Sequence, residues 1–203
     1  MIDNRGIINN IQGNACPTPD AREQHRDKNL LILDLDETLI HGTEEPLAIP
    51  ADFRVGPFYI HERPYVREFL SFCRAHFHLA VWSTGSEDYV RDVLDELTDG
   101  SNPFEFIWGR NRCTLKREAY DGELCWLKDL KKVRKLGWPL EQVLMLEDTP
   151  ANLARHYGNV IRIDAFEGAA DDTELLQLQP FLLKLATVAN VRCIEKRGWK
   201  RTC

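Results

Sequence analysis

The sequence lacks the cysteine and histidine patterns of zinc sites and of dithiol redox motifs. Its six cysteines are far apart, without a C-x-x-C pair, and none of its six histidines recurs at ligand spacing. The opening residues, MIDNRGIINN, have no apolar run of the kind that a secretory signal peptide needs. No apolar stretch approaches the roughly 20 residues of a membrane-spanning helix. We therefore expect reduced thiols and a cytoplasmic protein, or a nuclear one if the source is eukaryotic, without a membrane partner.

Positive charge is also in short supply. Asp and Glu number 32 against 26 Lys and Arg, which gives a net charge of −6. Affinity for a nucleic-acid backbone depends instead on clustered Lys and Arg. Basic clusters occur at Lys128–Lys135 and Glu195–Arg201, and we interpret both as solvated faces. Direct binding of nucleic acid is therefore not expected.

The length and the residue pattern predict one α/β domain. The 203 residues, 43% of them hydrophobic, can form one well-buried domain with additions. We predict a flexible N-terminal extension over residues 1–28, the domain over 29–195 and a basic C-terminal tail over 196–203. Apolar segments of strand length alternate with helical patterns, which predicts a doubly wound, Rossmann-like parallel sheet. Its strands are expected over residues 29–35, 77–82, 104–108, 142–146 and 160–163.

Between and after these strands the sequence predicts further features. Ser86, followed by Glu87 and Asp88, predicts the start of a helix that runs to about Thr98. A hairpin near Phe53–Ile60 is the only obvious flap above the strand ends. A polar, basic loop is expected as far as about residue 123, followed by a helix over 126–136. Two short amphipathic helices are expected over 172–189.

The segment Leu30–Leu39, LLILDLDETL, carries two aspartates at the end of an apolar run. A run without polar alternation is typical of a strand that is covered on both faces of a parallel sheet. If the backbone stays extended, Asp34 and Asp36 point to the same side, with Cα atoms roughly 7 Å apart at a rise of about 3.3 Å per residue. Two buried like charges this close are costly unless a cation neutralises them. A divalent metal is the simplest candidate.

Polar residues also follow two further predicted strands. Ser83 and Thr84 come after the second strand, and Glu147 and Asp148 come after the fourth. Ligands of doubly wound sheets bind at the carboxyl ends of the strands. We therefore expect these groups to converge with Asp34 in one site. A carboxylate can attack phosphorus, a second can protonate the leaving oxygen and a metal can neutralise charge, so the set suits phosphoryl transfer.

Four motifs resemble those of the haloacid dehalogenase superfamily, namely Asp34-Leu-Asp36-Glu-Thr38, Trp82-Ser83-Thr84-Gly85, Lys128-Asp-Leu and Glu147-Asp148-Thr-Pro150. Three features are similar to the small RNA polymerase II carboxy-terminal-domain phosphatases, the NLI-interacting-factor-like subgroup: the Glu37-Thr38 ending, the segment Arg63-Pro64-Tyr-Val-Arg-Glu-Phe69-Leu70, and Glu174-Leu175 with Pro180-Phe181-Leu182. The likeness covers about residues 29–195. It implies an Mg²⁺-dependent phosphomonoester hydrolase that works through an aspartyl-phosphate intermediate.

The resemblance implies roles for the residues of the first two motifs. Asp34 would be the nucleophile that takes the phosphoryl group. Asp36 would be the general acid and then the base that activates water, with its backbone carbonyl on the metal. Thr38 would hold the loop and orient Asp36. Ser83 would donate a hydrogen bond to a phosphoryl oxygen, with Thr84 as its rival, unless Ser83 only caps a turn.

The other two motifs and one loop residue complete the implied site. Lys128 would neutralise charge on the phosphoryl group and on Asp34, unless it is a solvated helix residue. Asp148 would complete the Mg²⁺ site directly or through water. Glu147 departs from the aspartate of most relatives, so its longer side chain would reach the metal differently or only through water. Arg110 stands where the small phosphatases have an arginine that contacts substrate phosphate.

No insertion large enough for a cap domain separates Asp36 from Ser83, or Ser83 from Lys128. An open site admits large substrates, which favours a phosphoprotein with phosphoserine or phosphothreonine. A phosphatase acting on a small phosphomonoester metabolite, within the same superfamily, is the alternative. The stretch Cys113–Lys128 is longer than in the small eukaryotic members, so their substrate groove does not carry over there.

Three other interpretations compete with this one. Cys16 and Arg22 match the spacing of the cysteine-dependent phosphatase loop, although two prolines between them remove backbone donors. A receiver domain also combines aspartates, a hydroxyl and a lysine, but its acidic pair is adjacent on the first strand and its phosphoacceptor lies on a later one. A non-catalytic phospho-binding module is the third, and the intact pair of Asp34 and Asp36 argues against it.

Overall fold

The computed structural model describes residues 28–117 and 124–201. Its strands, numbered along the chain, are β1 (Leu30–Leu33), β2 (Ile40–Thr43), β3 (Phe53–Val55), β4 (Phe58–Glu62), β5 (His78–Trp82), β6 (Phe104–Trp108), β7 (Thr114–Arg117), β8 (Leu124–Leu127), β9 (Val143–Glu147) and β10 (Val160–Arg162). Its α-helices are α1 (Val66–His76), α2 (Glu87–Leu97), α3 (Lys131–Arg134) and α4 (Glu174–Ala186). The predicted N-terminal extension, apart from Lys28, lies outside the described residues, as do Cys16 and Arg22.

Five parallel strands form the main sheet in the order β10–β9–β1–β5–β6. In the middle strand, Leu33 is level with Val81 of β5 on one side and with Leu146 of β9 on the other. The carboxyl ends of these three strands therefore lie side by side. The predicted doubly wound parallel sheet is confirmed, and each of its five expected strands is present.

The strand β1 is apolar throughout because its two faces meet two separate cores. Leu31 and Leu33 belong to the larger core, which includes the buried faces of α1, α2 and α4. Leu30 and Ile32 belong to the smaller core on the other face, which includes Trp138. Each such side chain contributes roughly 1.5–3 kcal/mol by its burial, so the strand is fixed firmly under the residues that follow it.

The helix α2 begins where the sequence predicts. The Ser86 hydroxyl accepts a hydrogen bond from the backbone N–H of Tyr89 (3.3 Å), and Glu87 and Asp88 occupy the first turn. This cap places the first turn of α2 directly after the polar end of β5.

A small antiparallel sheet, β2–β4–β3, stands next to the loop that follows β1. The expected hairpin corresponds to β3 and β4, and β2 adds a third strand that the sequence analysis did not predict. Because β2 starts at Ile40, directly after the motif that ends at Thr38, this flap is tied to the carboxyl end of the main sheet.

Residues 110–136 differ from the prediction. The polar stretch contains β7, and the segment expected to begin a helix at residue 126 is the end of β8, which pairs with β7 as an antiparallel ribbon. Of the described residues in this range, only Lys131–Arg134 are α-helical. The apolar residues of β8 are compatible with either periodicity, and pairing with β7 decides between them.

A single helix, α4, replaces the two short helices expected over 172–189. Pro180 lies inside it and has no N–H to donate to the carbonyl of Leu176. Leu175, Leu178 and Leu182 are nevertheless fully buried along one face. Their packing holds the helix together across the proline, since tertiary burial outweighs local propensity.

Two residues of the predicted C-terminal tail are buried. The ammonium of Lys196 donates to the carbonyls of Gly158 and Ile194 (both 2.8 Å), and Trp199 stacks on Phe181 with 6.3 Å between ring centroids. Among the described residues, no helix is both long and apolar enough to cross a bilayer.

Candidate active site

The loop after β1 holds the first motif at the end of the middle strand. The backbone N–H of Asp34 donates to the carbonyl of Leu146 (3.1 Å), which continues the β1–β9 pairing by one residue. The chain then turns back on itself, with Leu39 N–H donating to the Leu35 carbonyl (2.8 Å) and Glu37 in the left-handed region at φ 55°. Asp34 is only 6% exposed, so its carboxylate sits at the base of the site.

Lys128 lies between two carboxylates from separate strands. Its Nζ is 2.8 Å from Asp34 Oδ1 and 2.8 Å from Glu147 Oε2, and its side chain is fully buried. Burial disfavours the charge, but the two carboxylates outweigh burial and raise the pKa of Lys128 above its ordinary value. Lys128 is therefore a buried cation beside the predicted nucleophile, and not a solvated helix residue.

Glu147 is held at both of its carboxylate oxygens. Oε2 accepts from Lys128, and Oε1 accepts from the side-chain amide of Asn152 (3.1 Å) and the backbone N–H of Thr149 (3.4 Å). The side chain is fully buried. Glu147 therefore orients the ammonium group of Lys128.

Asp36 receives hydrogen bonds from two hydroxyl groups. Ser83 Oγ donates to Oδ2 (3.0 Å) and Tyr89 Oη donates to Oδ1 (2.8 Å). The backbone N–H of Gly85 in turn donates to Ser83 Oγ (2.8 Å), which fixes the serine side chain. Burial raises the pKa of Asp36, although the hydrogen bonds from Tyr89 and Ser83 oppose the shift. A raised pKa helps a carboxyl group to serve as a general acid near neutral pH.

Thr38 connects the first motif to the fourth. Its buried hydroxyl donates to Asp148 Oδ1 (3.4 Å), and its carbonyl accepts from Arg63 Nη1 (3.1 Å). The sequence predicted that Thr38 orients Asp36; the structure directs its hydroxyl to Asp148 instead. Thr149 Oγ1 donates to the other oxygen of Asp148 (3.0 Å).

Asp34, Glu147 and Asp148 form an acidic cluster, in which one carboxylate oxygen of each lies within 4.8 Å of the others. Burial raises the pKa of Asp34 well above its usual value and the charge of Glu147 raises it further, against the opposing effect of Lys128. Three carboxylates around one ammonium leave excess negative charge. Carboxylate oxygens are the ligands that Mg²⁺ takes in proteins, so these residues fit a divalent cation.

The two predicted substrate-binding residues, Thr84 and Arg110, contact each other at the loop that follows Ser83. Arg110 Nε donates to the carbonyl of Thr84 (2.6 Å), and its backbone N–H donates to the carbonyl of Gly85 (2.7 Å). The exposed guanidinium carbon is 5.7 Å from the ring centroid of Trp126. Of the two adjacent hydroxyl groups, it is that of Ser83 that contacts Asp36.

Sequence reasoning missed Tyr89 and Asn152. A signal for Tyr89 exists, because the Ser86 cap places it in the first turn of α2 beside the polar end of β5. No comparable signal points to Asn152, whose amide reaches Glu147 only because Pro150–Leu153 forms a 3₁₀ turn.

Comparisons with a family model, with two relatives and with a solved structure agree. The family model described as NLI interacting factor-like phosphatase matches residues 29–192. The sequence is 31% identical to the Homo sapiens protein named carboxy-terminal domain RNA polymerase II polypeptide A small phosphatase 1, over 97% of this chain and 74% of that protein. It is 30% identical to CTD nuclear envelope phosphatase 1 of Xenopus laevis, over 84% of this chain and 72% of that protein. The fold is shared with a solved structure of the fission yeast RNA polymerase II CTD phosphatase Fcp1 bound to beryllium fluoride, with a TM-score of 0.53 and 19% sequence identity. That match covers 78% of this chain and 51% of the Fcp1 chain.

Proposed function

The chain belongs to the NLI interacting factor-like phosphatases of the haloacid dehalogenase superfamily, and from this premise we propose that it dephosphorylates phosphoserine or phosphothreonine in proteins through a phosphorylated Asp34, with Mg²⁺ as cofactor. The family supplies the reaction class, hydrolysis of a phosphoric monoester. One observation carries the assignment of the nucleophile: the buried ammonium of Lys128 bridges Asp34 and Glu147 at 2.8 Å each. A fixed buried cation beside an attacking carboxylate stabilises the charge of a transferring phosphoryl group.

In the first step, a carboxylate oxygen of Asp34 attacks phosphorus while the bond from phosphorus to the serine or threonine oxygen breaks. Asp36 gives its proton to that leaving oxygen, so the protein alcohol departs neutral. In the second step, Asp36 takes a proton from water, whose oxygen attacks the phosphorus. The bond from phosphorus to Asp34 then breaks and inorganic phosphate leaves. Both aspartates return to their starting protonation states.

Several side chains prepare these steps. Ser83 and Tyr89 hold the two oxygens of Asp36, which restricts the orientation of the acid and base. Lys128 counters the charge that accumulates between Asp34 and the phosphoryl group. The Ser83 hydroxyl donates to Asp36 in the structure. When substrate is bound, we expect this hydroxyl to turn and donate to a phosphoryl oxygen instead. Arg110, exposed beside that loop, would contact the incoming phosphate.

We propose that Asp34, Asp148 and the backbone carbonyl of Asp36 hold Mg²⁺, with Glu147 acting through Lys128 or through water. When bound, Mg²⁺ supplies positive charge that offsets the repulsion between the carboxylates and the phosphate. The carboxylate oxygens within 4.8 Å of one another support this assignment. The hydroxyl groups that hold both oxygens of Asp148 support it as well.

A protein substrate is proposed because the site is open. Among the described residues, the extra structure beside the main sheet consists of β2–β4–β3 and the β7–β8 ribbon, neither of which is a cap domain. The Homo sapiens relative is named for the carboxy-terminal domain of RNA polymerase II, which is a protein substrate. A small phosphomonoester metabolite is the alternative within the superfamily.

The extent of the domain and its location are part of the proposal. We assign the phosphatase domain to residues 29–195, a range close to the 29–192 matched by the family model. Without a cysteine motif, the thiols are expected to be reduced, as they are in the cytoplasm and the nucleus. The Xenopus laevis relative is named for the nuclear envelope.

The test is phosphate release by the purified chain from a phosphoserine peptide and from a sugar phosphate, with Mg²⁺ or with a chelator. We expect Mg²⁺-dependent release from the peptide that is lost in Asp34→Asn and kept in Cys16→Ser. High turnover of sugar phosphates without any turnover of phosphopeptides would indicate that the substrate is a metabolite and not a protein. A stable phosphorylated form with slow turnover would indicate a receiver-like module, and no release at all would indicate a non-catalytic one.

A further inference from the structure

Cationic residues dominate the chain around the β7–β8 ribbon. Residues 110–117 contain four Lys and Arg, and residues 124–136 contain five, against the single acid Asp129. Asp129 already accepts a hydrogen bond from His156 Nε2 at 2.8 Å. This concentration of positive charge contrasts with the net charge of −6 for the whole chain. Residues 118–123, which join the two segments, contain three acids and lie outside the described part of the chain.

The fold brings the two basic segments into contact. Lys132 Nζ donates to the backbone carbonyl of Arg112 at 2.6 Å, although the residues are 20 positions apart. Arg112 lies two positions after Arg110, within the same short 3₁₀ turn. Arg110, Arg112 and Lys132 together define a surface that we name the basic rim.

The basic rim is joined to the active site at both ends. On one side, Arg110 is hydrogen-bonded to the Thr84 and Gly85 carbonyls of the second-motif loop. On the other, β8 leads directly into Lys128, the buried lysine of the catalytic cluster. The rim therefore extends outward from the place where a phosphate would bind.

The positive charge of the rim is available to a partner. Arg110 and Arg112 are exposed, and within residues 28–117 and 124–201 no carboxylate forms an ion pair with any of the three rim residues. The charge of Arg112 reaches Glu87, but that carboxylate is already held by Arg91 and Asn111 at 2.9 and 2.8 Å. A face that was merely solvated would carry acids interspersed with its cations.

We propose that the basic rim selects protein substrates in which acidic residues flank the phosphorylated serine or threonine. The inference rests on the proposed function, since it names the substrate class of the same site. Complementary charge steers association and fixes register, while the negative remainder of the molecule repels an acidic chain that approaches elsewhere. Three rim cations on an acidic protein suit a short acidic peptide better than a nucleic-acid backbone, whose binding needs a larger basic surface.

The experiment compares two phosphoserine peptides that differ only in their flanks, one with Asp and Glu and the other with Asn and Gln. At low ionic strength we expect KM to be about three- to tenfold lower for the acidic peptide with similar kcat, and the difference to shrink as salt is added. Arg112→Glu should abolish this preference. Arg74→Glu, an exposed charge reversal in the last turn of α1 at the opposite end of the sheet, should preserve it.

Turnover of p-nitrophenyl phosphate separates this inference from the proposed function. Arg112→Glu should leave that turnover unchanged, because the small ester has no flanks to contact the rim. Equal kcat/KM for both peptides in the wild-type protein, or a preference that survives Arg112→Glu, would overturn the inference while leaving the phosphatase intact. Single-stranded RNA competing more strongly than an unphosphorylated acidic peptide would overturn it as well. Absence of p-nitrophenyl phosphate turnover in the wild-type protein would instead remove the proposed function itself.

Discussion

Lys128 illustrates how strongly single residues of this site depend on one another. A fully buried ammonium is tolerated because two carboxylates lie 2.8 Å from it. The dependence is mutual, since Asp34 and Glu147 would repel each other without the lysine between them.

Lys128→Met should therefore cost both activity and stability. We expect kcat to fall about a thousandfold or more, and the free energy of unfolding at neutral pH to fall by about 3–5 kcal/mol, the cost of unpairing buried charges. Part of the lost stability should return at lower pH, because burial and the charge of Glu147 raise the pKa of Asp34 in the folded state and Lys128 no longer opposes them. Urea unfolding in chelator and phosphate release provide the measurements. Lys131→Met, an exposed neighbour, is the matched control, and unchanged stability of Lys128→Met would contradict the pairing.

Asp36→Asn should cost a factor of about 10²–10⁴ in kcat, the usual contribution of a positioned acid or base. The amide keeps the shape of the side chain, so the thermal midpoint should stay within a few degrees of the wild-type value. Asp92→Asn, on the exposed side of α2, should leave kcat unchanged. A loss of stability that parallels the loss of turnover would make Asp36 a structural residue.

Tyr89→Phe removes one of the two hydrogen bonds that orient Asp36. We expect kcat to fall about tenfold while KM and thermal stability stay near their wild-type values, because the missing bond contributes on the order of 1–2 kcal/mol. Gly42→Ala offers a second approach, since a Cβ at that position would lie 2.7 Å from Tyr89 Oη. Its kcat should fall in the same direction, and normal kcat in both variants would contradict a positioning role for Tyr89.

For single residues, the sequence predicts which residue types come together in the site, but it does not predict every contact between them. The convergence of Asp34, Ser83 and Asp148 follows from strand ends in a parallel sheet, and local sequence is enough to place them. Lys128 is brought into the site by the unpredicted β7–β8 ribbon. The contact of Tyr89 with Asp36 joins residues 53 positions apart, and a local pattern holds no information about such a pair.

At the scale of elements, one ion pair ties the flap to the rest of the domain. Arg63, directly after β4, is almost completely buried and donates two hydrogen bonds to Asp172 (3.0 and 2.8 Å), ahead of α4. Arg63 also donates to the Thr38 carbonyl. The flap, the first motif and the start of α4 therefore meet at one guanidinium.

Asp172→Ala should lower the free energy of unfolding by about 3 kcal/mol or more at neutral pH, because the buried Arg63 is left without its carboxylate. Burial alone would raise the pKa of Asp172, but the hydrogen bonds from Arg63 and the Glu174 N–H lower it below its ordinary value. The stabilisation is therefore present above the unfolded pKa of about 3.9 and is lost as the pH falls through the lower folded value. Urea unfolding should show the gap between wild type and variant closing as the pH falls below about 4. A pH-independent gap would contradict this, and Asp171→Ala, at an exposed neighbouring position, is the control.

The elements that the sequence predicts well are those with a local cause. The strand β1 is an uninterrupted apolar run, and α2 has its serine cap. The ribbon of β7 and β8 is not predictable in the same way, because β7 is exposed along its whole length and shows no apolar alternation. The helix α4 continues through Pro180 because distant side chains cover its buried face.

For the whole molecule, the charge is distributed unevenly. The chain is acidic overall, yet the basic rim and the acidic cluster lie next to each other. A bound cation would relieve the repulsion within the cluster, so binding of Mg²⁺ should stabilise the entire fold by mass action.

Addition of Mg²⁺ at about a hundred times its dissociation constant should stabilise the protein by roughly 2.7 kcal/mol. For a domain of this size that corresponds to a rise of about 5–10 °C in the thermal midpoint. Differential scanning fluorimetry of chelated protein titrated with Mg²⁺ provides the measurement. Asp148→Asn should lose most of the shift and Asp92→Asn should keep it; an equal shift in both variants would place the cation elsewhere.

The most direct measurement is a crystal structure of the protein soaked with magnesium and beryllofluoride, a mimic of the phosphoryl group. We predict that beryllium bonds to a carboxylate oxygen of Asp34, with Lys128 beside the fluorides and Mg²⁺ between Asp34 and Asp148. Beryllofluoride on another side chain, or a site that stays free of both ions at saturating concentrations, would contradict the assignment of Asp34 as the nucleophile.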